Sequence, residues 1–544
     1  MSVPASFNDG DTAWVLACTA LVLFMVPGLA LFYAGMVRSR NALTMMLQNI
    51  VPIGVVSVLW VLFGYSIAFS RNVAGFTGDL ERFGLGHLGV ASAPAFHRVV
   101  PGVTIPAMAF IVYQMMFAII TPALITGATA ARLKISGWIA FVALWTLIVY
   151  SPIVHWLWSR GGWLASLGAQ DWAGGMVVHA SAGAAVVAML LVVGRRRNWP
   201  KGQTLPHSMP LTVIGAGILW FGWFGFNAGD GLQANAVASQ AFINTQLAAA
   251  AGMLAWLIVE RGRDGHATVL GGVTGAVAGL ATITPCAGYV SAYSALLIGV
   301  IAGLVCQFAL KIKAIFRLDD ALDVVAVHFA GGVLGSLLLG FFAETAINPA
   351  GANGVFHGGG FALLGHQAIA LICVVAFSFA LTWLIAIAVA KTIGLRVEPQ
   401  DEFRLDEVQQ GMDAYHIDHV SNLPGSAGPR RPAVPAAPAQ MADGSRLVTT
   451  LIDPYAVDSQ EMTTALLRAG ASSIVVSEVH HYSGEEQQVV RGQRKTIDFH
   501  DRLRVEVLAP ETQLNAVLTE LHNYSSSDHG DHTRVISPQT VLRG

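Results

Sequence analysis

The 544-residue chain is 54% hydrophobic and 12% charged, with a formal net charge of −2; an average soluble domain carries about 25% charged residues. That balance belongs to a chain living largely in lipid, and with no basic block standing out nothing points to a nucleic-acid partner. Cys18, Cys286, Cys306 and Cys373 lie scattered in apolar runs without ligand spacing, so they read as packed thiols rather than a metal site or disulfide framework.

No basic residue precedes the apolar run that begins at Ala13. The charged n-region of a signal peptide is missing, and the first span is expected to be retained. A bilayer crossing takes roughly 20 mostly apolar residues. Eleven such runs follow, near 12 to 36, 45 to 69, 103 to 130, 136 to 157, 175 to 193, 210 to 229, 237 to 259, 268 to 285, 291 to 312, 324 to 343 and 366 to 391. One set of alternate loops holds Arg38, Arg40, Arg132, Lys134, Arg195, Arg196, Arg197, Lys201, Arg261, Arg263, Lys311, Lys313 and Arg317. The other set offers Arg71, Arg82, Arg98 and Arg160. Basic loops stay in the cytoplasm, so the N-terminus is expected outside (the periplasm, for a bacterial inner membrane) and the C-terminus inside.

Two fragments hint at an internal repeat. Val178-His179 and Val327-His328 are each followed four residues later by glycine, Gly183 and Gly332, and Phe32-Tyr33-Ala34-Gly35 echoes Phe226-Asn227-Ala228-Gly229. An inverted repeat of five plus five spans puts equivalent features in spans 1 and 6 and in spans 5 and 10.

After Lys391 the sequence turns charged, and residues 421–445, rich in Pro, Ala, Gly and Ser, read as a linker between a membrane domain (1–420) and a second domain (446–544). There Arg446 to Pro454, Ser473 to His481 and Leu503 to Leu508 are strand-like. Asp458 to Ala469, capped by Asp458, and Glu511 to His522 have helical spacing. The order β, α, β, β, α, β is the ferredoxin-like arrangement. The expected fold is thus an all-α polytopic membrane protein of eleven helices with a C-terminal ferredoxin-like α+β domain.

The sharpest chemical signal is a histidine inside each of two apolar spans, His179 and His328, because an ionisable side chain in lipid is costly and usually lines a cavity. Either one alone fits equally well as hydrogen-bonding glue between helices; the repeated context favours function. Brought together at the midplane, one imidazole can accept a proton from the other, and the neutral pair can take a proton from a bound cation acid, which potassium cannot supply. Aromatics form a second group: Trp158 at the outer end of span 4, Tyr113 and Phe117 on span 3, and Trp223, Phe224 and Phe226 on span 6. Singly these read as packing or as an interfacial belt; as a cluster they can hold a small cation. Asp171 suits a helix-start cap. Asp230 ends a span, where the helix dipole disfavours an anion, and attracting a cation is a reason for it to be there.

These features resemble the ammonium transporter (Amt/Mep/Rh) family from about residue 8 to about residue 415. The resemblance is carried by Thr19-Ala-Leu-Val-Leu-Phe-Met-Val-Pro-Gly-Leu-Ala-Leu-Phe-Tyr33, Asp171-Trp-Ala-Gly-Gly-Met-Val-Val-His179, Trp223-Phe-Gly-Phe-Asn-Ala-Gly229, Thr284-Pro-Cys-Ala-Gly-Tyr289 and Asp319-Asp-Ala-Leu-Asp-Val-Val-Ala-Val-His328. It implies a homotrimer with one pore per subunit, recruitment of ammonium, its deprotonation, and passage of ammonia with a proton moving along the histidines. His179 and His328 fall on the twin pore histidines, Phe117 and Phe226 on a phenylalanine gate, Trp158 on the outer recruitment site with Tyr113 beside it, and Asp171 on a buried aspartate near that site. Trp223 is grouped with the outer site. Asp230 departs from the family pattern, standing where many members have serine. No cofactor is implied for transport, and no metal.

The C-terminal module resembles a PII (GlnK-like) signal protein through Asp453-Pro-Tyr, Ser477-Glu-Val479, Val490-Arg-Gly492, Ile497-Asp-Phe499 and Arg504-Val-Glu-Val507. PII proteins dock on the cytoplasmic face of ammonium transporters through a long loop, and fusion supplies a high effective concentration. The loop here, His480 to Lys495, has Val490 in place of a modifiable tyrosine, next to Arg491, and Glu485 and Glu486 where a pore-plugging arginine is expected. Its Gly-rich phosphate loop is reduced to Ser526-Ser-Asp-His-Gly-Asp-His532, with His532 in place of a lysine, so the usual ATP or ADP site is not expected; Arg543 can still meet a phosphate. Three readings follow: a transporter regulated by the module, an ammonium sensor signalling through it with little transport, and a module that merely clamps a trimer. Binding of nucleotide or 2-oxoglutarate would exclude the last. An enzyme is not expected, since no nucleophile, metal or acid/base constellation occurs on the soluble side.

Overall fold

A computed structural model describes residues 7–89, 92, 102–197, 199–200, 206–415, 445–452, 459–481, 486–490, 493–497, 500–525 and 534–536. It divides into two compact units, one built on Met1–Tyr415 and one on the residues after it.

The first unit is a multi-pass membrane fold. Ten of its helices are long and apolar enough to cross a bilayer: α1 (Asp9–Met36), α2 (Ser39–Phe69), α3 (Ala107–Ala128), α4 (Ile135–Trp158), α5 (Gly175–Val193), α6 (Met209–Gly229), α7 (Ala236–Asp264), α9 (Ala292–Ile315), α10 (Val325–Phe342) and α11 (Ala362–Thr392). The eleventh expected run forms the shorter α8 (Val269–Ile283). At 1.5 Å per residue its fifteen residues reach about 22 Å, and the chain leaves the helix at Thr284-Pro285, where proline cannot donate to the preceding turn. Among the described residues, ten of the eleven expected spans are thus long apolar helices, and the eleventh is a shorter apolar helix at the expected place.

Helix α1 packs along α6, and the approach is close: a Cβ on Gly222 would meet the Met25 side chain, and one on Gly28 would meet Ile218 at 2.6 Å. Small residues at such crossings let backbones approach where lipid supplies no hydrophobic drive. The same device joins α5 to α10. A Cβ on Gly332 would fall 2.7 Å from the His179 Cβ, and one on Gly183 would collide with Phe329. The two glycines that follow the histidines in sequence are therefore the points where their helices cross.

In the second unit, β1 (Ser445–Ile452), β2 (Ser473–His481), β5 (His500–Pro510) and β6 (Arg534–Ile536) form an antiparallel sheet in the order β2-β5-β1-β6. Helices α12 (Ser459–Arg468) and α13 (Leu514–Ser525) accompany it. Val448, Val505, Val507, Met462, Leu466, Val517 and Leu521 form its core, as alternation in the strands and helical spacing in α12 and α13 require. The stretch expected as a loop from His480 to Lys495 instead contains two strands, β3 (Glu486–Val490) and β4 (Gln493–Ile497), paired with each other. The β-branched pairs Val489-Val490 and Thr496-Ile497 favour extended backbone within an otherwise polar stretch. Asp458 lies outside the described residues, as does nearly all of the 421–445 linker.

Candidate functional site

Helices α5 and α10 begin alike. The Asp171 carboxylate accepts from the backbone N–H groups of Gly174, Gly175, Met176 and Val177 at 2.6–3.1 Å, and Asp320 accepts from Val324 and Val325 at 3.1 and 2.8 Å. Each carboxylate meets orphan donors at a helix start, where the dipole also favours an anion. Burial pushes the Asp171 carboxyl up to about 6 while the four amides pull it down, leaving it ionised at neutral pH. Each aspartate stands at the same spacing ahead of a histidine, and each histidine lies in a π-helical turn, Gly175–Ala180 or Val325–Phe329. Such wide turns are frequent at functional sites.

The result is contact between the rings. His179 Nδ1 and His328 Nδ1 are 3.3 Å apart, with the ring planes 16° from parallel. One hydrogen lies between the two nitrogens, so the rings take different tautomers: one donates from Nδ1 and the other accepts there. Both side chains are buried, and His179 Nε2 has no hydrogen-bond partner among the described residues.

Above the histidines, Phe117 and Phe226 stack at 4.3 Å between centroids. Trp158 meets Phe117 edge-on at 5.7 Å and is held by a 2.9 Å bond from its N–H to the Asp171 carbonyl. Tyr113 packs on Phe117 and donates to the carbonyls of Gly225 and Phe226. Asp230 is fully buried at the end of α6, with Gln114 Nε2 at 3.5 Å from its Oδ1. Trp223 packs on Phe226 at 5.7 Å, stacks on His179 at 5.6 Å and donates to Thr284 Oγ1. Phe224 faces away and stacks on Phe242.

Two narrow cavities meet at His328, which lines both. The first is walled by Phe226, Trp223, His179, Leu124 and Leu29, and the second runs from His328 past Tyr33 and Met36 to Asp323; Phe32 and Val277 line both. In the first cavity the wall is otherwise apolar, so the two histidines are its polar groups, while the second adds Tyr33, Thr274 and Asp323.

The basic loops converge on one face. Arg132, fully buried, donates to the carbonyls of Gly194, Ala128 and Asp319 and lies 3.4 Å from the Asp319 carboxylate, which Arg196 also grips at 2.6 Å. Burial raises the Asp319 carboxyl, yet Arg196 and Arg132 outweigh it and hold the group below its usual range. A carboxylate so lowered supplies stability that is present above its unfolded value near 3.9 and lost as pH falls through the folded value. Limited proteolysis of the detergent-solubilised protein is expected to speed up at the 195–197 and 317–320 loops below about pH 4, and no acid sensitivity there would contradict this account of Asp319. The segment after α11 joins the same face: Asp406 caps Leu43 and Thr44, and Glu402 pairs with Arg396 at 2.6 Å and receives Arg197 N–H.

The chain matches the model of the Ammonium Transporter Family over residues 13–415. It is 44% identical over 438 residues to an ammonium transporter of Mycobacterium tuberculosis (strain H37Rv), covering 76% of this chain and 91% of that one. It is 42% identical over 398 residues to the ammonium transporter Amt1 of Archaeoglobus fulgidus, covering 73% and 96%. The chain belongs to the ammonium transporter family. Among solved structures, Candida albicans Mep2 superposes with a TM-score of 0.68 at 34% identity, covering 74% of this chain and 89% of that one. A structure described as a sensor Amt protein superposes at 0.65 with 30% identity, covering 73% and 96%.

For this member of the ammonium transporter family, the site brings together His179, His328, Phe117, Phe226, Trp158, Tyr113 and Asp171 through the contacts above, with Asp230 beside Gln114. Sequence reasoning missed Gln114, Phe32 and the capping role of Asp320. The aspartate-to-histidine spacing repeated in two spans was a readable signal for the last. Glu486 and Val490 fall in β3, while Glu485, Arg491, His532 and Arg543 lie outside the described residues.

Proposed function

We propose that this chain carries ammonium across a membrane: the cation is recruited beside Trp158, Tyr113 and Asp230, loses its proton inside the Phe117–Phe226 gate, and crosses as ammonia while the proton travels over His179 and His328. The observation that carries the reading is the 3.3 Å Nδ1 to Nδ1 contact at the junction of two cavities, the first of them apolar but for the histidines. Apolar walls admit neutral ammonia and resist its cation, and a shared hydrogen gives the proton a separate route. The aromatic faces of Trp158 and Phe117 suit a small cation. The proposal is tested by ammonium uptake into vesicles containing the full chain. Uptake above empty vesicles, undiminished by equal potassium, supports it, and uptake equal to empty vesicles overturns it.

Asp230 adds a carboxylate to the recruitment step. Replacement by the serine common in the family is expected to raise the ammonium concentration for half-maximal uptake about tenfold, equivalent to about 1.4 kcal/mol, and to leave the maximal rate equal or higher. An unchanged half-saturation would remove Asp230 from the recruitment site.

The wider architecture follows the same reading. Matched capping, π turns and crossing glycines in α5 and α10 support an inverted five-plus-five repeat. The convergence of the basic loops supports a cytoplasmic placement of that face and an outer N-terminus, and the family supports a homotrimer. In the second unit, the sheet order β2-β5-β1-β6 is that of a ferredoxin-like fold, and the β3–β4 hairpin stands where a PII-type loop would; both support a PII-like regulatory module docking on the transporter. A chain ending at Leu423 then conducts at least as fast as the full chain. The likeness to a structure described as a sensor Amt protein keeps a second reading, in which ammonium binding acts through the module with little transport.

A further inference from the structure

The second cavity has a carboxylate in its wall as well as His328. Asp323 lines it together with His328, Tyr33 and Met36, and the Asp323 carboxylate forms an ion pair with Lys313 Nζ. Both partners are sheltered, with side chains 2% and 14% exposed. Asp323 also sits at φ +63°, a left-handed conformation that a non-glycine residue adopts at some cost; short polar side chains such as aspartate tolerate it best. Local strain of this kind persists where the surroundings over-determine it, which is common near functional groups.

The chemistry of a proton leaving His328 requires an acceptor on the far side from His179. The cavity walls from Phe32 to Val327 are otherwise almost entirely apolar, with Thr274 and the Tyr33 hydroxyl the other polar groups lining it. Tyr33 donates to the Leu124 carbonyl, and a threonine hydroxyl is a poor base. Asp320, nearby in sequence, is committed to the amides of Val324 and Val325. Asp323 is thus the carboxylate of the cavity wall. Resting on the proposed conduction through the histidine pair, we propose that Asp323 is the exit carboxylate of the proton path. The N–H bond of the His328 imidazolium breaks, the proton bonds to an Asp323 oxygen directly or through cavity water, and it leaves to water on the basic face. Lys313 holds the resting carboxylate in an ion pair and takes no part in the transfer itself.

The test compares Asp323→Asn, Asp323→Glu and Lys313→Gln in the full chain, each checked for wild-type elution in detergent and reconstituted in proteoliposomes. The readouts are the ammonium-evoked transient current and its change in deuterated water. Asp323→Asn is expected to cut the current at least tenfold and raise the solvent isotope effect. Asp323→Glu and Lys313→Gln each retain at least half the current. A purely structural ion pair would make Asp323→Asn and Lys313→Gln fall together with the isotope effect unchanged, and that result, or an unaffected Asp323→Asn, overturns the proposal. Should the wild type give no current, the conduction reading fails and this one with it; a wild-type current with either overturning result rejects the exit carboxylate alone.

Discussion

Replacing His179 with alanine is expected to abolish the ammonium-evoked current, by tenfold or more, in a protein that still folds and elutes as the wild type does. The alanine leaves the apolar cavity larger but removes one partner of the 3.3 Å contact with His328, so the shared hydrogen has nowhere to go. His328→Ala should match it, and the double variant should be no worse than either, because residues acting as one unit are non-additive. Phe224→Ala is the control. Phe224 lies on α6 between Trp223 and Phe226, which both line the first cavity, yet it stacks outward on Phe242, and its loss should leave the current within about twofold. Half the wild-type current in His179→Ala would refute the paired-histidine mechanism.

The second large effect concerns the aspartates that start α5 and α10. Truncating Asp171 to alanine strands four buried backbone donors, and each buried donor left unmet costs about 1–3 kcal/mol. Asp320→Ala strands two. Both variants are expected to lose thermal stability in detergent, Asp171→Ala the more severely and to the point of poor assembly. Asp171→Asn, which keeps one acceptor oxygen, falls between alanine and wild type. The readout is the midpoint of thermal aggregation measured side by side. Equal midpoints for wild type and Asp171→Ala would mean that the carboxylate does not hold the turn that orients His179.

Much of the membrane unit was legible because lipid imposes simple rules. Apolar runs of bilayer length mark the helices, and a histidine within such a run is rare enough to single out. The run of α8 was seen but drawn to 285, because hydrophobicity does not register that the helix ends at Ile283, just before Thr284-Pro285. Helical spacing put Trp223 near Phe226, which it touches, but gave no sign of its stacking on His179 or its bond to Thr284, since both depend on how helices pack. The π turns left no mark in the sequence, since a wide turn depends on packing rather than on residue type. Asp320 was readable in hindsight through the spacing it shares with Asp171. In the second unit, alternation located three of the four strands of the main sheet and not the short β6, while β3 and β4 were hidden in a polar stretch rich in Gln and Arg.

The measurement that bears most directly on the central claim is the transient current on rapid exchange into ammonium of proteoliposomes containing the full chain, with potassium at the same concentration as control. A current with ammonium, none with potassium, and its loss in His179→Ala is the predicted result. No current from a folded full chain, or equal currents from ammonium and potassium, would contradict it.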